Sequence, residues 1–208
     1  MIYNLNLKKD KPYYEVIEVE PTLNSINEIK YDILNEVLKI NEWIDWPEKD
    51  LYKTGTTWKI FPLNAFGMWI DNNCNKCPIL TKFLKSIPNL KLATLSKMSA
   101  GTKLTPHQGW WKHSNYSIRC HYGLIVPQNC FIKVLVGNTW YKKYHNKFEW
   151  LIFDDSKIHS AENLSDADRI VLIIDVERPR NIAIGKSEIG DTKELLEIVN
   201  NIKIGLED

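Results

Sequence analysis

A chain of 208 residues with 44% hydrophobic and 25% charged content can bury one core of ordinary size and reads as one soluble globular domain. Its net charge of +1 leaves no basic excess to neutralise phosphates, which excludes nucleic acid as a main partner. No run approaches the roughly 18 apolar residues of a spanning helix. The opening MIYNLNLKKDKPYYE lacks the apolar stretch of a leader. The expectation is a cytoplasmic protein with no membrane partner.

Three regions follow one another within that domain: a strand–helix region over about 1–55, a β-rich core over about 56–180 and a C-terminal helix over about 190–203. Tyr13 to Val19 reads as a strand. Residues 25–43 predict a helix, because Ser25-Ile-Asn-Glu28 fits a capping box and Ile26, Ile29, Ile33, Val37 and Ile40 recur at helical spacing. Trp58-Lys-Ile-Phe61 begins the β-rich core. Cys74 and Cys77 form a lone C-x-x-C, a weak zinc signal without two further ligands, and read as free loop cysteines. Pro78 opens a short helix with the stripe Ile79, Leu80, Phe83, Leu84 and Ile87, ended by Pro88.

Strands are then predicted over Lys91 to Met98, Lys103 to Thr105, Ser117 to Val126, Phe131 to Val136, Trp150 to Phe153 and Arg169 to Val176. Cys120 and Cys130 fall in apolar strand contexts and read as small core residues. A last helix begins near Asp191 and carries Leu195, Ile198, Val199 and Ile202. Many short strands punctuated by Pro, Gly and Asn predict a mainly β sandwich or jelly roll with the helices outside it.

Two histidines stand in matching surroundings: His107 in Thr105-Pro-His-Gln-Gly109 and His159 in Phe153-Asp-Asp-Ser-Lys-Ile-His159. Arg169 follows and opens the apolar run Ile170-Val-Leu-Ile-Ile174. A separated His pair followed by a lone Arg on a hydrophobic strand suggests a metal and an anionic co-substrate in one barrel. The usual non-haem iron triad adds a carboxylate, and Gly109 occupies its place. Period-two alternation puts Arg119, His121 and Gly123 on one strand face and Ile118, Cys120 and Tyr122 on the other. An inward guanidinium must meet an anion, and two of them, Arg119 and Arg169, would suit a ligand with two carboxylates. Asp154 and Asp155 read either as an Asx-type turn or as supports of His159 through its distal ring nitrogen. His113 and His145 lie in polar, loop-like stretches and read as ordinary polar residues.

The stretch from Trp58 to Pro179 resembles the aspartyl/asparaginyl β-hydroxylase family of Fe(II)- and 2-oxoglutarate-dependent oxygenases. The pieces run in order: Trp58-Lys-Ile-Phe-Pro-Leu63, the Cys-containing loop before Pro78, Ala93-Thr-Leu-Ser96, Gly101-Thr102 and Pro106-His-x-Gly109. Arg119-x-His-x-Gly-Leu124, Pro127 with Cys130, Phe153-Asp-Asp-Ser-x-x-His159, Arg169 and Asp175-Val-x-Arg-Pro179 complete the set. The resemblance implies a double-stranded β-helix, a cupin-like jelly roll with flanking helices. It implies that His107 and His159 are the catalytic Fe(II) ligands, with water in the position left by Gly109. Arg169 and Ser96 would hold the distal carboxylate of 2-oxoglutarate, and Arg119 and His121 would support the carboxylate beside the keto group.

The implied reaction consumes O2, releases succinate and CO2, and hydroxylates a C–H of a peptidyl Asp/Asn or amino-acid-type substrate, whether peptide or small molecule. Halogenation at the vacant carboxylate position, or metal and dicarboxylate binding without turnover in a cupin-like module, are the alternatives. Two places depart from the family pattern. The loop Trp110-Trp-Lys-His-Ser-Asn115 is long, and no aromatic follows His159 in His159-Ser-Ala-Glu-Asn163. Trp110, Trp111 and Tyr116 are candidates for a substrate-facing wall.

Overall fold

Two antiparallel sheets pack face to face in the computed structural model, which describes residues 10–204. The elements in chain order are α1 (Val16–Val19), α2 (Ile26–Val37), β1 (Ile44–Asp45), β2 (Trp58–Ala65), β3 (Met68–Trp69), α3 (Asp71–Lys76), α4 (Pro78–Lys85) and β4 (Leu90–Met98). There follow α5 (Trp111–Ser114), β5 (Ser117–Ile125), β6 (Cys130–Val136), β7 (Thr139–Tyr144), β8 (Trp150–Phe153), β9 (His159–Asn163), β10 (Arg169–Glu177) and α6 (Lys193–Ile204). The larger sheet runs β1-β2-β4-β10-β5-β8, with β3 on β2, and the smaller runs β7-β6-β9. Bridges Tyr52–Leu104, Lys103–Glu162 and His107–His159 lay the segment around 103–107 alongside β9 and extend the smaller sheet.

Strand parity sorts the side chains into two cores. Ile118, Cys120, Tyr122 and Leu124 of β5, with Leu172 and Ile174 of β10, face outward onto α2, α3 and α4, where Ile26, Ile33, Leu80 and Leu84 are buried. A smaller cluster between the sheets joins Trp58, Met98, Leu151 and Phe153 to Ile132, Val134 and Ala161. This second cluster floors the space into which Arg119, His121 and Arg169 project. Each fully buried Leu or Ile contributes roughly 1.5–3 kcal/mol of transfer free energy. The outward core therefore holds the helices on the barrel and leaves its interior for polar groups.

Several expectations are corrected. Tyr13 to Val19 forms no strand: Tyr14 makes one bridge to Ile152, and α1 follows. Ser25 does not cap α2, since it is itself in αR conformation with no capping bond, its hydroxyl donating to the Thr22 carbonyl. A short 3-10 turn, Pro21–Ser25, leads into α2, which stops at Val37. Cys74 and Cys77 are free but buried, one in α3 and one at the α3–α4 junction. Ile79, assigned to the buried stripe, is exposed, because Pro78 turns it outward next to the cap that Glu36 provides. The last helix does begin near Asp191, at Lys193, with the Thr192 hydroxyl accepting from the Leu195 amide. The side chains of Ile198 and Ile202 lie outside the described residues.

β7 and β9 were not foreseen as strands. Trp140, Tyr141 and Tyr144 of β7 are all exposed, so neither face shows apolar alternation. β9, HSAEN, has no β-branched residue and is a strand only because β6 pairs with it.

Candidate active site

His107 and His159 face each other across a bridge closed by two backbone hydrogen bonds, His107 N to the His159 carbonyl and the reverse, each 2.9 Å. Their rings lie 4.3 Å apart between centroids. Each Nδ1 is bound to the carbonyl two residues earlier: Thr105 at 2.7 Å for His107 and Lys157 at 2.8 Å for His159. A carbonyl only accepts, so both Nδ1 atoms carry the proton and both Nε2 atoms present a bare lone pair. Desolvation, reinforced by His159, pushes the His107 pKa down to about 3, and burial takes His159 down to about 4. Both are neutral imidazoles at physiological pH, the form that binds a metal.

Asp155 is buried beside them, with Oδ1 3.4 Å from His159 Nε2. A bare nitrogen and a carboxylate oxygen repel unless a cation or a proton sits between them. Burial raises the Asp155 pKa to about 6 against the pull of Arg119. Arg119 donates from Nη1 to Asp155 at 2.6 Å and from Nε and Nη2 to Asp175 at 2.8 Å each. Asp175 and Arg119 are cross-strand partners on β10 and β5. Burial alone would lower the Arg119 pKa, and the two carboxylates outweigh it and raise it. The anion expected for Arg119 is thus supplied by the protein, and three of its five N–H donors are engaged.

Neither aspartate orients His159 through its distal nitrogen, because Lys157 already occupies Nδ1. Asp154 has the turn role: its Oδ1 accepts from Ser156 N and Oγ, and both its oxygens are held by Arg178 at 2.6 and 2.8 Å.

Arg169 is the contrasting case. It is 1% exposed, and its Nε and Nη1 have no hydrogen-bond partner. Burial lowers its pKa to about 10. His121 Nε2 is also buried without a partner. Ser96 accepts from Trp58 Nε1 at 2.9 Å. Ser96, Arg119, His121 and Arg169 line one cavity together with His107 and His159, so tertiary structure brings all six sequence-predicted residues together. The sequence pattern assigns no role to Asp175 and predicts an ordinary polar loop residue at His145. His145 is in fact buried, with its Nε2 3.2 Å from Nδ1 of His121.

Trp58, Arg119 and Ile173 are shared with a second, apolar cavity lined by Trp46, Ile60, Phe66, Trp110 and Leu195. Trp46 stacks on Trp58 at 4.3 Å and on Trp110 at 5.7 Å between centroids. Trp110 lines this apolar cavity, whereas Trp111 and Tyr116 are exposed, Tyr116 lining a separate surface groove.

The jelly roll thus carries a histidine pair and a buried arginine without a side-chain partner in one place. Residues 24–179 match the family described as Aspartyl/Asparaginyl beta-hydroxylase, and the chain belongs to that family. It is 36% identical over 127 residues to the ornithine lipid ester-linked acyl 2-hydroxylase of Rhizobium tropici, covering 61% of this chain and 43% of that protein. It is 31% identical over 143 residues to the aspartate beta-hydroxylase domain-containing protein 2 of Mus musculus, covering 64% of this chain and 39% of that one. The chain thus spans less than half the length of these relatives. Among solved structures, a prolyl hydroxylase from Trichoplax adhaerens, in complex with a hypoxia inducible factor peptide fragment, superposes with a TM-score of 0.53 at 13% identity. That match covers 77% of this chain and 89% of the other, a likeness of fold. Among the described residues no helix is long and apolar enough to cross a membrane.

Proposed function

We propose that this domain is an Fe(II)- and 2-oxoglutarate-dependent hydroxylase acting on a C–H bond within an apolar segment of its substrate. One observation carries the reading: two histidines with bare Nε2 atoms, one of them 3.4 Å from the buried Asp155 carboxylate, line the same cavity as a buried guanidinium that has unmet donors. The residues fit the group. His107 and His159 would hold the iron through Nε2. Iron loaded with 2-oxoglutarate and O2 supplies the oxidative decarboxylation that yields succinate and CO2 and places one oxygen atom of O2 on the substrate carbon.

The chain's own residues do the positioning. Arg169 offers its unmet donors, Nε and Nη1, to the distal carboxylate of 2-oxoglutarate, with the Ser96 hydroxyl beside it. His121 Nε2 reaches the carboxylate next to the keto group. Arg119 has two N–H groups to spare for the same carboxylate, and its main work is to hold Asp155 beside the histidines. Trp58 and Phe153 give the cavity an apolar wall.

The substrate reading rests on the apolar cavity. Its only charged lining residue among those described is Arg119, which is already neutralised by Asp155 and Asp175. A peptidyl Asp or a free amino acid would bring a carboxylate or ammonium that this wall does not match. An unbranched alkyl chain suits three tryptophans and the aliphatic Ile60 and Leu195. The acyl activity in the name of the Rhizobium tropici relative points the same way. Halogenation is disfavoured because the space beside Gly109 is filled by Asp155. Binding without turnover lacks a supporting observation.

The test is an anaerobic titration with Fe(II) and 2-oxoglutarate, following the metal-to-ligand charge-transfer band, and then a screen of acyl and peptidyl substrates for succinate release. Absence of the band, or succinate no higher than in His107→Ala, overturns the cofactor assignment. Stimulation by peptidyl Asp or Asn and not by acyl chains overturns the substrate class alone.

A further inference from the structure

We infer that His145 is a positioning residue of this pocket: its Nε2–H donates to Nδ1 of His121 and so keeps the His121 proton on Nε2, facing the cavity. The consequence for co-substrate binding rests on the 2-oxoglutarate reading above, whereas the tautomer itself rests on ring geometry.

His121 Nδ1 and His145 Nε2 are 3.2 Å apart, and the two rings lie within 10° of parallel. Both rings are buried, at 4% and 5% exposure. Burial, and the nearby Arg169 guanidinium, push both well below the usual imidazole range, so each ring is neutral and carries a single proton. A hydrogen bond between two neutral imidazoles needs one donor and one acceptor, which leaves two arrangements.

The outer nitrogens decide between them. His121 Nε2 and His145 Nδ1 both lack a partner. If His121 donated, the second proton would sit on His145 Nδ1, an N–H donor with no partner, in a residue that does not line the histidine cavity. If His145 donates, that position holds only a bare lone pair. The unmet N–H is then His121 Nε2, which lines the cavity where an anion enters. Orphaned buried N–H donors are rarer in folded proteins than under-satisfied acceptors, so the donor is the group that must find a partner. Only the second arrangement places the donor where a ligand can satisfy it. The backbone fixes the geometry, because His145 directly follows β7 and its N–H is bound to the Cys130 carbonyl at 2.8 Å. The ring is therefore set by the β6–β7 hairpin, independently of β5.

Long-range 15N–1H NMR of metal-free protein labelled in its histidine rings reads the tautomer directly. Resonances are assigned with the H121N and H145Q variants. The expected result is a protonated Nε2 and a bare Nδ1 on His121, and a proton on Nδ1 of His121 overturns the proposal. The second readout is the dissociation constant for 2-oxoglutarate. His145→Leu should weaken binding about ten-fold, the worth of one hydrogen bond to a charged ligand's partner. His145→Gln, whose amide can still donate to Nδ1, should stay within about three-fold on the same scale. Equal losses in the two variants, or none in either, also overturn the inference. Should His145→Leu fail to fold, the wild-type spectrum and His145→Gln still decide. Wild-type protein that binds no 2-oxoglutarate removes the function proposed above, while the spectrum continues to judge the tautomer.

Discussion

The carboxylate of Asp155 occupies the room that Gly109 leaves open: a Cβ on Gly109 would stand 1.9 Å from Asp155 Oδ2 and 2.8 Å from Ser114 Cβ. The missing ligand and the buried acid are therefore two halves of one arrangement, 46 residues apart in the chain. Gly109→Ala should displace Asp155 and lower Fe(II) affinity and turnover by about 10- to 100-fold, the range for losing a group that supports a metal site. Gly109→Asp, which writes the usual triad residue into the sequence, should be no better, because two carboxylates cannot share the space. Metal binding by either variant at wild-type strength would refute this.

Arg169 should be intolerant of lysine. Lysine keeps the charge and loses the planar fork. With Nε and Nη1 as the unmet donors, Arg169→Lys is expected to raise KM for 2-oxoglutarate roughly 10- to 100-fold, as for one or two hydrogen bonds to a charged group. Steady-state succinate assays across co-substrate concentration check it.

Arg178 ties the second histidine's loop to the rest of the barrel. It holds Asp154 through both nitrogens and also donates to the carbonyls of Ser114 and Ala183. Arg178→Met should destabilise the fold by about 3–5 kcal/mol, since Asp154 is left buried and unpaired. Adding Asp154→Asn should recover part of that loss in denaturant unfolding, whereas additive losses would contradict the pairing.

Glu36 caps a neighbouring helix. Its two oxygens accept from the Ile79 and Leu80 amides at 2.8 and 3.0 Å, at the start of α4. Glu36→Ala should cost about 1–2 kcal/mol through the lost cap and dipole interaction. Because the cap lies far in sequence from the histidines, the 2-oxoglutarate affinity of folded protein should not change.

The metal-free protein should lose stability in acid. His107, His121, His145 and His159 all have depressed values in the fold. An unfolded chain takes up protons near pH 6.5 that the folded chain refuses until about pH 3 to 4 at His107 and His159, so their contribution is full above 6.5 and falls as pH drops. Asp155 acts in the opposite sense: raised to about 6, it contributes below its unfolded value and loses that contribution as pH rises through 6. These four histidines, with His113 shifted down by burial in the same sense, against one carboxylate predict a lower urea midpoint at pH 5 than at pH 7. An unchanged or higher midpoint at pH 5 would show that the rings are not buried neutral.

Much of the barrel was readable because strands have a strict period of two. Alternation in β5 alone separated Arg119 and His121 from Ile118, Cys120 and Tyr122, and the structure puts them on opposite faces as expected. The same rule failed for β7, whose Thr139–Tyr144 is exposed on both faces, and for β9, which has no intrinsic strand preference. The start of α2 was misread because Ser25 has the right chemistry for a cap but already sits inside a helical turn.

By itself the sequence determined the type of each group: two histidines, two arginines and a glycine where a carboxylate is usual, on apolar strands. Tertiary structure decided which charges remain free. Arg119 and Arg169 are equivalent on paper, yet β10 pairs Asp175 opposite Arg119 and gives Arg169 no partner. His145 meets His121 behind the pocket through a contact spanning 24 residues, which no local pattern encodes. Hydrogen bonds and ion pairs are short-ranged, so they depend on register and strand order. Those are set by the packing of the whole chain and not by any one segment.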